Sequence, residues 1–200
     1  MESTLNQGFV LLTQIAMGVS LAACAGLRAF LPLLVVGVAG RMDVIPLTRS
    51  FEWLESGPAL VVFGVAVVLE LLADKIPFVD HVLDVAETFV KPVAGAVVVA
   101  SVVTELSPLQ TTVLAIIAGS SAAVVLHLTK AKLRLVSSAT TAGVGNPVLS
   151  VTEDAVAVAG TLTSIVVPIL ALIVLIAGII LIWTLFRRIS RSSPRGAVPI

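Results

Sequence analysis

The sequence predicts an all-α protein, a polytopic transmembrane helical bundle with about five crossings and short re-entrant or interfacial helices. Hydrophobic residues make up 58% of the 200-residue chain and charged residues only 12%, unlike the balance of a water-soluble domain. Several apolar stretches also reach the ~20 residues that a helix needs to cross the hydrocarbon layer. We therefore expect a single membrane domain, 1–200, with membrane lipid as its principal partner.

The first helix region, 8–40, carries one charged side chain, Arg28. As a straight helix its ~33 residues would measure ~50 Å, against a hydrocarbon layer of ~30 Å. Because Gly26 and Pro32 flank Arg28, we expect the helix to break or bend there. Small side chains at every fourth position predict a face for close helix packing. That face consists of Gly18, Ala22 and Gly26.

The next unit, 58–107, begins with an apolar helix that should end before Pro77. Charged residues then recur at spacings of four, three and four, which places them on one narrow helical stripe. We interpret this segment as a short helix in the interface or dipping inward along a wet cavity, because it is too charged to span. Pro92 would join it to a separate apolar helix. The stripe comprises Asp80, Asp84, Glu87 and Lys91.

The last unit, 109–186, starts with an apolar helix and a basic patch. Small and turn-forming residues at 137–147 predict irregular backbone. The apolar run 155–186 is long enough for one tilted helix or for a half-helix plus a full one, with Pro168 a possible kink. Arginines are frequent in the C-terminal tail, 187–200.

Two segments, 82–87 and 148–153, share four of six residues. A parallel internal repeat, with two crossings in each unit, explains the match; chance is the alternative, because valine and alanine are common here. The repeat predicts five crossings. It places the loops 74–91 and 129–150 on one side of the membrane, with the loop 41–57 and the C-terminus on the other. The arginine-rich tail predicts a cytoplasmic C-terminus in the cell membrane.

Four ordered motifs make the chain similar to a bacterial multipass membrane family catalogued as domain of unknown function 4126. This resemblance implies a polytopic fold and no established activity. Lys91 departs from the expected pattern, which has arginine at this position, so a planar guanidinium is not required there. The motifs are residues 26–33, 73–80, 92–95 and 137–154.

Charged residues near the bilayer centre cost about 2.5–3.5 kcal/mol each, so they should be paired and face protein or water. Arg28 suits an anion or headgroup contact, a bond to Glu87 or Glu153, or a purely structural ion pair. Glu87 and Glu153 could together hold a proton or cation, or belong to solvated acidic helix faces. His127 is an interfacial histidine or a proton relay. The candidate substrate or ion site comprises Arg28, Asp74, Asp80, Asp84, Glu87, Lys91, Asn146, Glu153 and Asp154.

The sequence contains no His-Glu-x-x-His helix, Gly-x-Ser-x-Gly elbow or Gly-Lys-Ser/Thr phosphate loop. We therefore predict no enzymatic activity and no cofactor. The single cysteine, Cys24, allows no Cys-rich metal site, and the zero net charge argues against a nucleic-acid partner. The leading hypothesis is a transporter or channel-like protein for an ion or small solute. The alternative is a noncatalytic scaffold or assembly subunit, bound to a second copy or to other membrane subunits through its small-residue face.

Overall fold

A computed structural model describes the backbone of residues 2–73 and 77–192, and the side chains of residues 4–73, 86–185 and 187. Helices account for all of the regular structure in these ranges, which confirms the predicted all-α class. They are α1 (Glu2–Leu27), α2 (Phe30–Arg41), α3 (Gly57–Ala73), α4 (Pro77–Val102), α5 (Pro108–Leu114), α6 (Ser120–Thr141), α7 (Asn146–Val166) and α8 (Pro168–Ser192). A 3-10 helix (Arg49–Glu55) precedes α3, and a π-helical turn (Ala115–Gly119) joins α5 to α6.

Four helical spans in the described ranges are long and apolar enough to cross a membrane. A fifth arises if the 3-10 helix and α3, which are bent by 66°, count as one broken span. The number agrees with the five crossings expected from the sequence, and the chain is a multipass membrane protein. The four spans are Thr4–Leu27, Pro108–Thr141, Asn146–Val166 and Pro168–Leu185.

The chain turns back at Arg28, where the sequence predicts a break. After α2 the chain lies at the same end of the bundle as the first half of α1, and we call this end the N-terminal end. Two hydrogen bonds show this position. Gln14 Nε2 donates to Thr104 Oγ1 (2.8 Å), and the backbone N–H of Thr48 donates to the carbonyl oxygen of Ser101 (2.9 Å). The segment after α2 therefore lies beside the C-terminus of α4 and near the first half of α1, so α2 runs back towards the end from which α1 came.

The other end of the bundle, which we call the C-terminal end, holds the α6–α7 turn and the last turns of α8. Lys132 of α6 and Arg187 of α8 line one groove there. The predicted placement of the C-terminus opposite the α6–α7 loop is therefore wrong. Its cause is the break at Val167 (φ −140°, ψ 72°) before Pro168, which divides 155–186 between two helices of opposite direction.

Residues 77–102 form one helix, α4, instead of an interfacial helix followed by a separate apolar one. Pro92 lies inside α4, and its carbonyl oxygen accepts a hydrogen bond from Ser120 Oγ of α6 at 3.0 Å. This bond does not replace the one that the missing N–H of Pro92 removes, but it holds α4 against α6, and membrane helices continue through prolines where neighbouring helices pack against them. Lys91, on the predicted surface stripe, is completely buried.

The irregular segment between α6 and α7 is also shorter than the sequence predicts, because α6 continues to Thr141 and α7 begins at Asn146. Hydroxyl groups contribute to this difference. Thr141 Oγ1 donates to the carbonyl oxygen of Ser137 (2.7 Å) and accepts the N–H of Gly145 (2.9 Å), closing the turn with its own side chain. Gly143, at φ +86°, supplies the left-handed backbone that a non-glycine residue rarely adopts.

Glycines allow the three central helices to touch through their backbones. The predicted small-residue face of α1 lies inside the bundle: Gly18 contacts α4, Ala22 is fully buried, and Gly26 abuts a carbonyl group of α6. Between α4 and α6, a Cβ at Gly95 would lie 2.6 Å from the carbonyl oxygen of Gly119, and the reverse substitution meets the same distance. Close approach of this kind holds transmembrane helices together without a hydrophobic driving force.

Candidate functional site

Eight charged side chains from five parts of the fold, six of them buried and two (Arg134 and Asp154) half-buried, collect on the C-terminal side of the bundle. Four are basic and four are acidic, so their formal charges cancel. Such groups are costly inside a membrane protein unless they pair with one another. We call this set the ionic cluster: Arg28, Glu70, Glu87, Lys91, Lys130, Arg134, Glu153 and Asp154.

Arg28 occupies the sharp turn between α1 and α2 and is only 1% exposed. Its guanidinium forms an ion pair with Asp154 of α7, and its Nη1 donates to the carbonyl oxygen of Glu70 at 3.2 Å. Within the described residues its carboxylate partner is Asp154, and neither Glu87 nor Glu153, the partners considered from the sequence. The turn from α1 to α2 is thus fastened to α3 and α7.

Glu70, in the last turn of α3, holds the start of α2. Its Oε1 accepts the backbone N–H of Ala29 (2.8 Å), and its Oε2 lies 3.4 Å from the N–H of Phe30. The first N–H groups of a helix have no partner within the helix, and a carboxylate satisfies them while complementing the positive end of the helix dipole. α2 has no cap from its own Ala29 side chain, so Glu70 supplies the cap from another helix.

Glu87 and Lys91 form an ion pair one turn apart on α4. Lys91 is 0% exposed and Glu87 5% exposed, so the solvated acidic face considered from the sequence is wrong for this position. Lys91 Nζ also lies 3.3 Å from His127 Nδ1 of α6, which brings the histidine to the edge of the cluster. Glu87 Oε1 has no hydrogen-bond partner among the described residues.

Glu153 of α7 faces two basic residues of α6. Its Oε2 lies 3.5 Å from Lys130 Nζ and 3.3 Å from Arg134 Nη2. Glu153 is 7% exposed, so it too is buried rather than part of a solvated face. Its second oxygen, Oε1, has no hydrogen-bond partner in the described part of the chain. A buried carboxylate oxygen in this state can accept a proton, a water or a polar group of a bound solute.

The buried face of α7 carries polar residues on both sides of Glu153. Its buried positions recur at spacings of three and four residues, which keeps them on one side of the helix, but one of them, Ala157, is apolar. Ser150, one turn before Glu153, has a hydroxyl without a described partner. Further along, Thr161 and Ser164 lie against the thiol of Cys24 on α1. The buried face of α7 therefore carries two separate polar groups, one at the ionic cluster and one beside Cys24, with Ala157 between them.

Helix lengths give the depth of the cluster. Glu153 follows the start of α7 by seven residues and Lys130 precedes the end of α6 by eleven, which at 1.5 Å per residue is about 10 and 16 Å from the α6–α7 turn. Arg28 and Glu70 lie where α1 and α3 end. The cluster thus lies on the C-terminal side of the bundle, with Glu153 nearer the midpoint of α7 than its start and Lys130 near the midpoint of α6, and neighbouring helices cover it.

One predicted site residue, Asn146, does not join this arrangement, and three others cannot be placed. Asn146 lies at the start of α7, where its Nδ2 donates to Ser138 Oγ at 3.0 Å, so it belongs to the α6–α7 turn. Asp74 and the side chains of Asp80 and Asp84 lie outside the described residues.

Conversely, the sequence analysis missed three members of the cluster. Glu70 carried a usable signal, since it is a carboxylate inside an apolar helix. Lys130 and Arg134 resembled a surface patch, because their sequence neighbours are also basic and the length of α6 was underestimated.

The cluster suits protons and polar solutes better than a transition metal. No group of three or more His, Cys, Asp or Glu side chains in the described residues is arranged to hold a metal ion. The available chemistry consists of carboxylates that can change protonation state, fixed cations and hydroxyl groups.

Comparison with known sequences gives a family but no characterised relative. Neither the curated proteins nor the solved structures include a significant match. One family model, described as domain of unknown function (DUF4126), matches residues 15–188, which is most of the chain and all of the ionic cluster. The chain therefore belongs to the DUF4126 family of proteins, as its four motifs predict.

Proposed function

We propose that the protein is a transporter or channel-like protein for a small ion or solute, and that the ionic cluster is its binding and gating site. The proposal depends on one observation: charged side chains are buried here, and some of their oxygen atoms have no hydrogen-bond partner among the described residues. Lys91 is 0% exposed, while Glu87 Oε1 and Glu153 Oε1 have no partner among the described residues. A cluster that served packing alone would gain stability by pairing these oxygens.

Two further features support the proposal. The cluster links α3, α4, α6, α7 and the α1–α2 turn, so a change in the charge of one member alters the forces between several helices. The buried face of α7 then offers polar groups to water or an ion on both sides of Glu153, with Ser150 on one side and, beyond Ala157, Thr161 and Ser164 on the other. Intramembrane ionisable residues facing a bundle interior commonly mark such pathways.

The scaffold hypothesis loses its motivation in this structure. Its basis was the small-residue face of α1, which was expected to receive another subunit. Gly18 and Gly26 are instead in contact with α4 and α6 of the same chain. The proposal assigns no catalytic residue, in keeping with the prediction that the protein is not an enzyme.

We infer that the C-terminal end of the bundle faces the cytoplasm of the cell that carries the protein. Lys132 and Arg187 lie at this end, and three more arginines follow in the sequence, whereas Arg41 and Arg49 flank the loop at the N-terminal end. Basic residues near helix ends favour the cytoplasmic side. A membrane-impermeant maleimide should label Ser50→Cys in intact cells, and Ser138→Cys only after lysis, in a Cys24→Ser background.

Transport is tested in proteoliposomes with an imposed gradient of protons, Na⁺ or K⁺, each loaded with a fluorescent dye selective for that cation. We expect the wild-type protein to dissipate at least one gradient faster than protein-free liposomes. Glu87→Gln and Glu153→Gln should each slow this flux about tenfold or more, because the amide keeps the shape of the carboxylate but cannot exchange its charge.

Glu105→Gln is the matched control, since Glu105 is an exposed carboxylate in the loop before α5. Its flux should equal that of the wild type. Equal flux in the wild type, Glu87→Gln and Glu153→Gln would remove the cluster from the transport pathway. Absence of wild-type flux for all three cations would contradict the ion-transport form of the proposal.

A further inference from the structure

A groove of about 550 Å³ lies between α6 and α8 at the outer surface of the C-terminal end. It is separate from the ionic cluster, since none of its lining residues belongs to that set. One wall is apolar and the rim is basic, which divides the groove into two chemically different parts. The lining residues are Val125, Thr129, Lys132, Ile179, Ile182, Trp183 and Arg187.

The rim carries two positive charges and no carboxylate among its lining residues. Lys132 comes from α6 and Arg187 from α8, so the charges approach from both sides of the groove. Arg187 is also held over the ring of Trp183, with its guanidinium carbon 3.7 Å from the ring centroid. This cation–π contact restrains the arginine while leaving its N–H groups able to donate.

The position of the groove relative to the membrane indicates which ligand can reach it. The apolar sequence of α8 gives way to Arg187 and Arg188, and Trp183 lies one turn before them. Tryptophan and basic residues at the end of an apolar helix mark the headgroup level of the bilayer. The apolar wall lies deeper, since Ile182 and Ile179 precede Arg187 by five and eight residues, about 8 and 12 Å along the helix, towards the acyl chains.

We propose that this groove binds an anionic phospholipid, with the phosphate between Lys132 and Arg187 and an acyl chain against the isoleucines of α8. Thr129 provides a hydroxyl next to the basic rim. Basic pockets between transmembrane helices recognise anionic headgroups in this way. The inference concerns a surface outside the proposed transport site and does not depend on it.

The test is native mass spectrometry of the purified full-length protein in detergent with added lipid. The probes are dioleoyl phosphatidylglycerol, which is anionic, and dioleoyl phosphatidylcholine, which has the same chains but no net charge. The wild type should retain phosphatidylglycerol preferentially. Each of Lys132→Gln and Arg187→Gln should weaken its retention about fivefold, and the double variant about 25-fold.

Three controls distinguish the alternatives. Arg49→Gln removes an exposed charge at the other end of the bundle and should leave lipid retention unchanged. Ile179→Trp fills the apolar wall and keeps both charges, so it should also reduce phosphatidylglycerol binding. Lys132→Arg should preserve binding, because it keeps the positive charge.

Equal retention of the two lipids would overturn the proposal, as would unchanged retention in the double variant. Competition by inorganic phosphate, with no effect of Ile179→Trp, would identify a free-anion site instead of a lipid site. A dimer that is lost on the Ile179→Trp substitution would assign the groove to a second copy of the chain.

Discussion

Removing the buried lysine of the ionic cluster should strongly destabilise the protein unless its partner is neutralised at the same time. Lys91→Met keeps most of the side-chain volume but leaves the Glu87 carboxylate, 5% exposed, without its cation. Breaking a buried ion pair by removing one member costs about 3–5 kcal/mol. Lys91 also lies 3.3 Å from His127 Nδ1, so we expect a value within this range rather than below it.

The double variant Glu87→Gln/Lys91→Met removes both charges and should recover most of the loss. Replacement of a whole buried pair by uncharged groups of similar volume is often neutral, so we expect a change of about 1 kcal/mol or less. The coupling free energy between the two positions is then at least about 2–4 kcal/mol in magnitude, and larger by whatever Glu87→Gln costs alone. The assay is equilibrium unfolding in detergent with increasing dodecyl sulfate, followed through the fluorescence of the two tryptophans.

An exposed pair of substitutions provides the matched control. Arg49→Met and Glu105→Gln affect charges at the surface, and each should change the unfolding free energy by less than about 0.5 kcal/mol. The reasoning is refuted if Lys91→Met costs less than about 1 kcal/mol, or if the double variant loses the sum of the two single losses.

Three further results should follow. Gly95→Ala and Gly119→Ala should each destabilise the protein by about 1–3 kcal/mol in the same assay, because the new methyl group meets a backbone oxygen at 2.6 Å. Gly178→Ala, with open space around it, should be neutral or slightly stabilising. Equal effects at all three positions would be inconsistent with the α4–α6 contact. Ser107→Ala removes the hydroxyl of the capping box of α5 and should cost about 1 kcal/mol, and an unchanged unfolding curve would deny the cap. Cys24, buried between α1 and α7, should react with a maleimide only in the unfolded protein, and rapid labelling of the native protein would contradict its burial.

The fold class could be predicted because the apolar composition of the chain indicates that lipid, and not water, surrounds most of it. The break at Arg28 was also predictable, because it has a local cause in the sequence. Pro168 was expected as a kink, but the reversal of the chain there was not. Pro92 shows the limit of such reasoning, because the same residue type lies inside α4, packed against Ser120 of another helix, and no local pattern reveals a contact between residues 28 positions apart.

The membership of the ionic cluster was only partly predictable for a related reason. The sequence analysis placed five of its members in the candidate site but could not assign their partners: Arg28, Glu87, Lys91, Glu153 and Asp154. The ion pair of Arg28 with Asp154 joins residues separated by 126 positions. Burial of Glu87 and Glu153 depends on the way α4, α6 and α7 pack, so an amphipathic stripe that suggested a membrane surface became the interior of the bundle.

Proteoliposome flux of Glu87→Gln/Lys91→Met tests most directly whether the ionic cluster moves an ion or only holds helices together. This variant should fold with nearly wild-type stability, because it contains no unpaired buried charge at these positions. If the cluster is the binding and gating site, its flux falls to the level of protein-free liposomes. A folded double variant that transports as fast as the wild type would contradict that account and leave the charges a purely structural role.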